Sequence, residues 1–123
     1  MACGATTYAA CGEDQAITWG QGAGCGELGY GPEGPDSGDP SFDYLGLARS
    51  GIMLAAGEPD MPPLSIAGGI ADQMGAILLA YGVLAALLAR DRHGVGQEVD
   101  ASHLGSMAML QGLSLSMRLM MGA

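Results

Sequence analysis

The fold is decided by a stretch that reads GGIADQMGAILLAYGVLAALLARDRHG, residues 68–94. Within it, residues 74–89 carry no charge and are mostly Ala and Leu, which are strong helix formers. Cationic side chains and then Gly94 follow this run, as is typical of a helix C-terminus, where the dipole is negative and a left-handed glycine ends the last turn. The sequence therefore predicts a long helix that begins at Ala71 or Asp72 and ends at Arg92.

The uncharged run also raises the question of a membrane span. A helix needs about 20 apolar residues to cross the hydrocarbon core, and this run has 16. Its many Gly and Ala residues favour close packing between helices. We therefore predict a buried helix of a soluble protein and no association with a membrane.

Acidic residues outnumber basic ones. The 123 residues include 13 Asp and Glu, four Arg and no Lys, which gives a formal net charge of −9. This balance argues against binding to nucleic acid or to anionic lipid, because both attract clustered cations. Residues 1–48 hold seven of the acidic residues, no Arg and 11 of the 22 glycines. The N-terminal part of the chain is therefore acidic and Gly-rich, whereas the C-terminal part favours helices.

The cysteines and one glycine pattern indicate no cofactor. Cys3, Cys11 and Cys25 lack the CxxC spacing of zinc ligands, so we predict no metal site. An odd number of cysteines without a recognisable signal peptide fits a cytoplasmic protein. Residues 24–29 match GxGxxG formally, but the Gly- and Pro-rich residues after them cannot open the helix that a dinucleotide site requires.

The remaining predicted elements are short. They are a strand at residues 16–19, a loop at 20–40, a helix at 43–55, a strand at 97–101 and a last helix that ends near Met121. Ser102 is the predicted N-cap of that last helix. Because apolar side chains surround most of its circumference, the last helix should be buried. Residues 1–15 show no period and stay unassigned.

Asp72 is the candidate catalytic residue. It opens the long helix after Gly68-Gly69, where free backbone N–H groups and the positive end of the dipole favour an ionised carboxylate. Such a carboxylate could act as a covalent nucleophile, but Asp is also among the commonest N-cap residues. The residues alone leave both roles open. We interpret His93 and His103, at predicted helix ends, as structural.

A set of short motifs occurs in a fixed order between residues 17 and 115. They are GPDSG (34–38), FD (42–43), ARSGIM (48–53), GEPDMPP (57–63), IAD (70–72), LAALLAR (84–90) and HGVGQEVD (93–100). Together they resemble the class III coenzyme A transferases, the CaiB/BaiF family. The resemblance implies an α/β fold, with residues 16–123 as a helix-rich, Rossmann-like fragment of an incomplete domain that has few short strands.

The resemblance also implies a mechanism. Asp72 stands where the family has its nucleophile, which attacks an acyl-CoA and passes through an aspartyl-CoA thioester before a free carboxylic acid accepts the CoA. Phe42 and Asp43 stand where relatives line the CoA, although Asp43 is as well explained as the cap of the helix it precedes. No permanent cofactor is implied, because the CoA thioester is a substrate. Relatives are much longer, interlocked homodimers, so we expect the isolated segment to be inactive.

Two alternatives remain from the sequence. Family members that racemise α-methylacyl-CoA carry a histidine at the position of Phe42, and Phe42 cannot transfer a proton, so we favour a transferase. From a different class, the segment could be an inactive packing or dimerisation module.

Overall fold

The computed structural model describes residues 8–11, 18–20, 29–31, 33–37 and 39–122. The predictions for Cys3, Cys25 and the glycine pattern at 24–28 fall outside these residues. The described elements are, in chain order, β1 (Tyr8–Cys11), β2 (Thr18–Gly20), α1 (Asp43–Arg49), α2 (Ile52–Ala55), α3 (Ile70–His93), β3 (Gln97–Val99), α4 (His103–Leu110) and α5 (Gly112–Met121). The predicted helix-rich chain with few short strands is therefore observed.

The three strands form one small sheet in the order β2-β1-β3. Both pairs are antiparallel, with Ala9 opposite Trp19 on one side and opposite Val99 on the other. The central strand lies in the segment that the sequence left unassigned, because four residues are too few to establish a period. Antiparallel pairing is not the parallel sheet of a Rossmann-like unit, so the Rossmann-like arrangement stays a prediction.

The long helix α3 agrees with its predicted bounds to within two residues. It begins after Gly69 and ends at Gly94, both in the left-handed conformation, and the Gly94 N–H donates to the carbonyl of Arg90. By length and composition alone α3 could cross a membrane, but core helices of soluble proteins meet the same criteria. The absence of a membrane partner stays a prediction.

The prediction that α3 is buried is only half right. One face packs Leu79 and Val83 against β3 and the residues that follow it, whereas Tyr81 is 72% exposed and Leu84 is 66% exposed. Burial requires an apolar neighbour on every side of a helix, and the described residues supply a neighbour on one side only.

Two predicted helices are each divided in two. The helix expected at 43–55 is interrupted at Gly51, whose φ of 79° is left-handed and incompatible with a continuous helix. The last helix is interrupted at Gln111, whose side-chain amide donates to the carbonyls of Ser50 and Met107 at 3.2 Å each. Ser102 does cap its first half, where its hydroxyl accepts from the Gly105 N–H at 3.0 Å.

The predicted burial of the last helix is wrong for its second half. No residue of α5 is buried, and Leu119 and Met120 are each 85% exposed. Apolar periodicity of this kind is typical of a helix that packs against protein, and the described residues leave most of this apolar surface uncovered.

The core lies where α1, α3 and α4 meet. Leu47, Ala71 and Met107 come one from each helix and are fully buried together. The contact is close because Gly46 has no side chain: a Cβ there would lie 2.9 Å from the Cβ of His103 and 3.1 Å from that of Ala71. Both distances are shorter than packed carbon atoms normally allow, so Gly46 sets the spacing of all three helices.

We predict that Gly46→Ala destabilises the chain by about 1–3 kcal/mol, because the added methyl on α1 pushes against both α3 and α4. Gly112→Ala is the matched control. A Cβ at Gly112 meets nothing within 4 Å, and Ala favours a helix, so this variant should be neutral or slightly stabilised. Urea unfolding measures both, and equal midpoints for the two variants would contradict the close approach at Gly46.

Candidate active site

Asp72 lies in the first turn of α3 as its third residue. Its neighbour Ala71 is fully buried, whereas the Asp72 side chain is 50% exposed. The approach to it is open, because Gly68 and Gly69 precede the helix and a Cβ at Gly68 would meet no atom within 4 Å. The structure therefore presents a carboxylate at a helix N-terminus with free space beside it.

The capping role that the sequence allowed for Asp72 belongs to another residue. Asp43 is buried at the start of α1, and its Oδ1 accepts from the backbone N–H of Ala71 at 2.7 Å and from that of Asp72 at 3.3 Å. Two of the N–H groups that a helix N-terminus leaves without an intrahelical partner are thus satisfied from outside α3. The side chain of Asp72 is not needed for this task.

The same contact corrects the structural role predicted for Asp43. The sequence suggested that Asp43 caps the helix it precedes, but Phe42 is the N-cap of α1 and makes no side-chain capping bond. Asp43 instead caps α3, which is 28 residues further along the chain. Its predicted contact with CoA stays a prediction.

Phe42 sits beside Asp43 in an extended conformation, and its ring is about half exposed. An exposed ring at the start of α1 is compatible with a ligand surface, and the predicted place of Phe42 along the CoA stays a prediction.

A histidine that the sequence analysis interpreted as structural lies against Asp72. The His103 ring is 4% exposed, and its Nε2 lies 3.0 Å from Oδ1 of Asp72. The other ring nitrogen, Nδ1, lies 3.1 Å from the hydroxyl oxygen of Ser41. Ser41, His103 and Asp72 therefore form a connected row of polar groups that runs from the interior to the open end of α3.

The loop before α1 holds Ser41 in this row. A Cβ on Gly29 would overlap the Cβ of Ser41, so only glycine fits beside it. The Gly29 carbonyl accepts from the backbone N–H of Leu104, at the start of α4. Further along the loop, the Arg49 guanidinium stacks over the Tyr30 ring at 4.4 Å and pairs with Asp36, which ties the loop to α1.

Sequence reasoning missed Ser41 and His103 because they are 62 residues apart and neither belongs to a recognised motif. The available signal was the Ser102 cap, which fixes His103 at the first position of a helix directly after a strand. That signal gives the position of His103 along the chain but not its distance from Asp72.

The described residues contain no group of three or more His, Cys, Asp and Glu side chains that could hold a metal ion. The predicted absence of a metal requirement stays a prediction. The chemistry available at the site is that of a carboxylate with a hydrogen-bond donor beside it.

We predict that Asp43→Ala costs about 1–3 kcal/mol of unfolding free energy, because it leaves two N–H groups of α3 without their acceptor. Asp43→Asn keeps an oxygen at the same place and should lose less. Glu58→Ala removes an exposed carboxylate and serves as control. Thermal unfolding followed by circular dichroism measures all three, and a loss for Asp43→Ala no larger than for Glu58→Ala would refute the capping role.

The chain is similar in sequence to enzymes that transfer coenzyme A. The profile of CoA-transferase family III matches residues 25–123. The acetyl-CoA:oxalate CoA-transferase of Acetobacter aceti is 40% identical over 85 residues, which are 68% of this chain and 22% of that enzyme. The succinyl-CoA:mesaconate CoA-transferase of Haloarcula hispanica is 42% identical over 73 residues, which are 59% of this chain and 18% of that enzyme.

Solved structures agree with the sequence matches. A CAIB/BAIF family protein of Brucella suis superposes with a TM-score of 0.72 and 28% identity, over 78% of this chain and 25% of that one. A hypothetical protein (Rv3272) of Mycobacterium tuberculosis gives a TM-score of 0.69 and 31% identity, over 78% of this chain and 27% of that one. The chain spans about a fifth of the length of the curated relatives, and since the family profile covers most of its residues, it belongs to CoA-transferase family III.

Proposed function

We propose that this segment carries the nucleophile of a CoA-transferase, and that the nucleophile is Asp72. The observation that carries the proposal is that Asp43, and not Asp72, caps the N-terminus of α3. Asp43 occupies the backbone N–H groups at the start of α3, which leaves the half-exposed Asp72 carboxylate available beside two glycines. The carboxylate anion is the form of an aspartate that attacks a thioester.

The proposed reaction moves CoA from an acyl-CoA to a free carboxylic acid. An oxygen of Asp72 bonds to the thioester carbonyl carbon, and the carbon–sulfur bond breaks to give a mixed anhydride and the CoA thiolate. The thiolate then bonds to the carboxyl carbon of Asp72, and the first acid leaves as its carboxylate. The acceptor acid runs the same steps in reverse on the aspartyl-CoA thioester, which regenerates Asp72.

The rest of the CoA molecule needs groups beyond Asp72. CoA carries several phosphate charges, whereas this chain has four Arg, no Lys and a net charge of −9. We propose that Phe42 and Asp43 border the thioester end of the CoA and that the phosphates bind to parts of the enzyme outside this segment. The small share of each relative that the chain spans supports this division.

Activity in this proposal belongs to the complete enzyme, a cytoplasmic homodimer whose sheet is completed as a Rossmann-like unit. The exposed apolar faces of α3 and α5 favour further protein packed against them. Two of the relatives suggest acids to try first, because one is an acetyl-CoA:oxalate CoA-transferase and the other is a succinyl-CoA:mesaconate CoA-transferase.

We predict that Asp72→Ala and Asp72→Asn each lower the transfer rate of the complete enzyme by at least about 10³-fold, because the covalent step loses its nucleophile. Asp91→Asn, on the exposed end of the same helix, should keep normal activity. The assay follows CoA transfer from acetyl-CoA to oxalate and from succinyl-CoA to mesaconate. Mass spectrometry of the enzyme mixed with donor alone should find CoA attached at Asp72.

Normal transfer by Asp72→Ala would end the proposal. Exchange of the substrate α-proton with deuterated solvent, without transfer, would identify a racemase instead. Robust turnover by the 123-residue chain alone would contradict the proposed need for the rest of the enzyme.

A further inference from the structure

We propose that His103 is a catalytic residue of this site, and the proposal rests on Asp72 being the nucleophile. In this role the Nε2–H of His103 donates to Oδ1 of Asp72 and stabilises the negative charge that collects on that oxygen when the CoA thiolate attacks. Ser41 is the positioning residue that holds the His103 ring for the task.

The contacts of His103 fix which nitrogen carries the proton. An ionised carboxylate can only accept hydrogen bonds, so the Nε2 that lies 3.0 Å from Asp72 must be the donor. The Ser41 hydroxyl, 3.1 Å from Nδ1, can either donate to it or accept from it. Ser41 therefore suits a neutral ring and a protonated ring equally, and the Nε2–H faces Asp72 in both.

The row of Ser41, His103 and Asp72 differs from the triad of a serine hydrolase. In that triad Nε2 faces the serine, Nδ1 faces a buried aspartate, and the serine is the exposed nucleophile. Here the orientation is reversed, since Ser41 and His103 are each 4% exposed and the Asp72 side chain is 50% exposed. The group at the open end of the row is the carboxylate, so substrate meets Asp72 and not Ser41.

The donor acts when charge develops on the aspartyl carbonyl. As the thiolate sulfur bonds to the carboxyl carbon of Asp72 in the anhydride, the electron pair of the C=O bond moves onto the carbonyl oxygen. When this intermediate collapses, the pair returns, the bond to the bridging oxygen breaks and the first acid leaves with that oxygen. A donor fixed beside the carbonyl oxygen lowers the energy of the charged state.

The surroundings of His103 keep the donor in place. Its ring is buried, and its Cβ packs closely against Gly46 of α1. Its Nδ1 is hydrogen-bonded to Ser41, and the absence of a side chain at Gly29 leaves room for Ser41. Fixed dipoles of this kind need no reorganisation during the reaction, which makes them effective in stabilising a transition state.

The test compares two substitutions of His103 in the complete enzyme. His103→Met fills the space without a donor, whereas His103→Gln places an amide N–H close to the position of Nε2. We expect His103→Met to slow formation of the aspartyl-CoA adduct and kcat by about 10²-fold with little change in KM, and His103→Gln to recover most of that loss. Rapid-quench mass spectrometry with the acyl-CoA donor alone measures the adduct.

Three further variants separate catalysis from folding. His93→Met changes the exposed histidine at the end of α3 and should leave the rate unchanged. Ser41→Ala should cost less than His103→Met, because the ring keeps its donor and loses only its anchor. The double variant Ser41→Ala with His103→Met leaves no buried hydroxyl without its partner, so it reports the missing donor even where His103→Met folds poorly.

The outcomes distinguish the two proposals. Absence of a CoA adduct at Asp72 in the unaltered enzyme would overturn the proposed function. An adduct that forms at the normal rate in His103→Met or in the double variant would overturn the role of His103 alone. Equal slowing in folded His103→Met and His103→Gln would also overturn it, because the amide supplies a donor and should restore the rate.

Discussion

The structure depends on the bond between the Asp43 carboxylate and the first N–H groups of α3. It crosses from one helix to another and closes a helix end that no residue of α3 itself caps with a side chain. Because it is buried and joins a charged acceptor to backbone donors, its loss is costly. It fixes the start of α3 on α1, and so it also fixes the point from which Asp72 projects.

Close packing around Gly46 brings a side chain of α4 next to this anchored end of α3. The absence of a side chain lets α3 and α4 approach α1 at the same point, and the buried trio of Leu47, Ala71 and Met107 fills the space around it. This approach brings the first residue of α4, His103, within hydrogen-bond distance of the third residue of α3. A larger residue in place of Gly46 would push both helices that carry these side chains away from α1.

Positive charge is scarce on this segment, and two of its helices expose apolar side chains. The chain has four Arg and no Lys, and Arg49 is engaged with Tyr30 and Asp36. The apolar faces of α3 and α5 are exposed, although their periodicity is typical of surfaces that pack against protein. The segment therefore combines a well-packed candidate site with apolar surfaces that the described residues leave exposed.

The sequence alone determined the course of α3 and the Ser102 cap, because uncharged helix formers and helix-end signals are local properties of the chain. Its ordered family motifs also singled out Asp72 as the candidate nucleophile, which stays a prediction. The sequence wrongly predicted two continuous helices where the structure has interruptions. The left-handed conformation of Gly51 and the hydrogen bond from the Gln111 side chain to Ser50 depend on neighbouring elements. Only the tertiary structure decided that Asp43 caps α3, that His103 reaches Asp72 and that Ser41 contacts His103. Those contacts join residues 28 to 62 positions apart, and no local pattern encodes a distance that is set by the packing of three helices at Gly46.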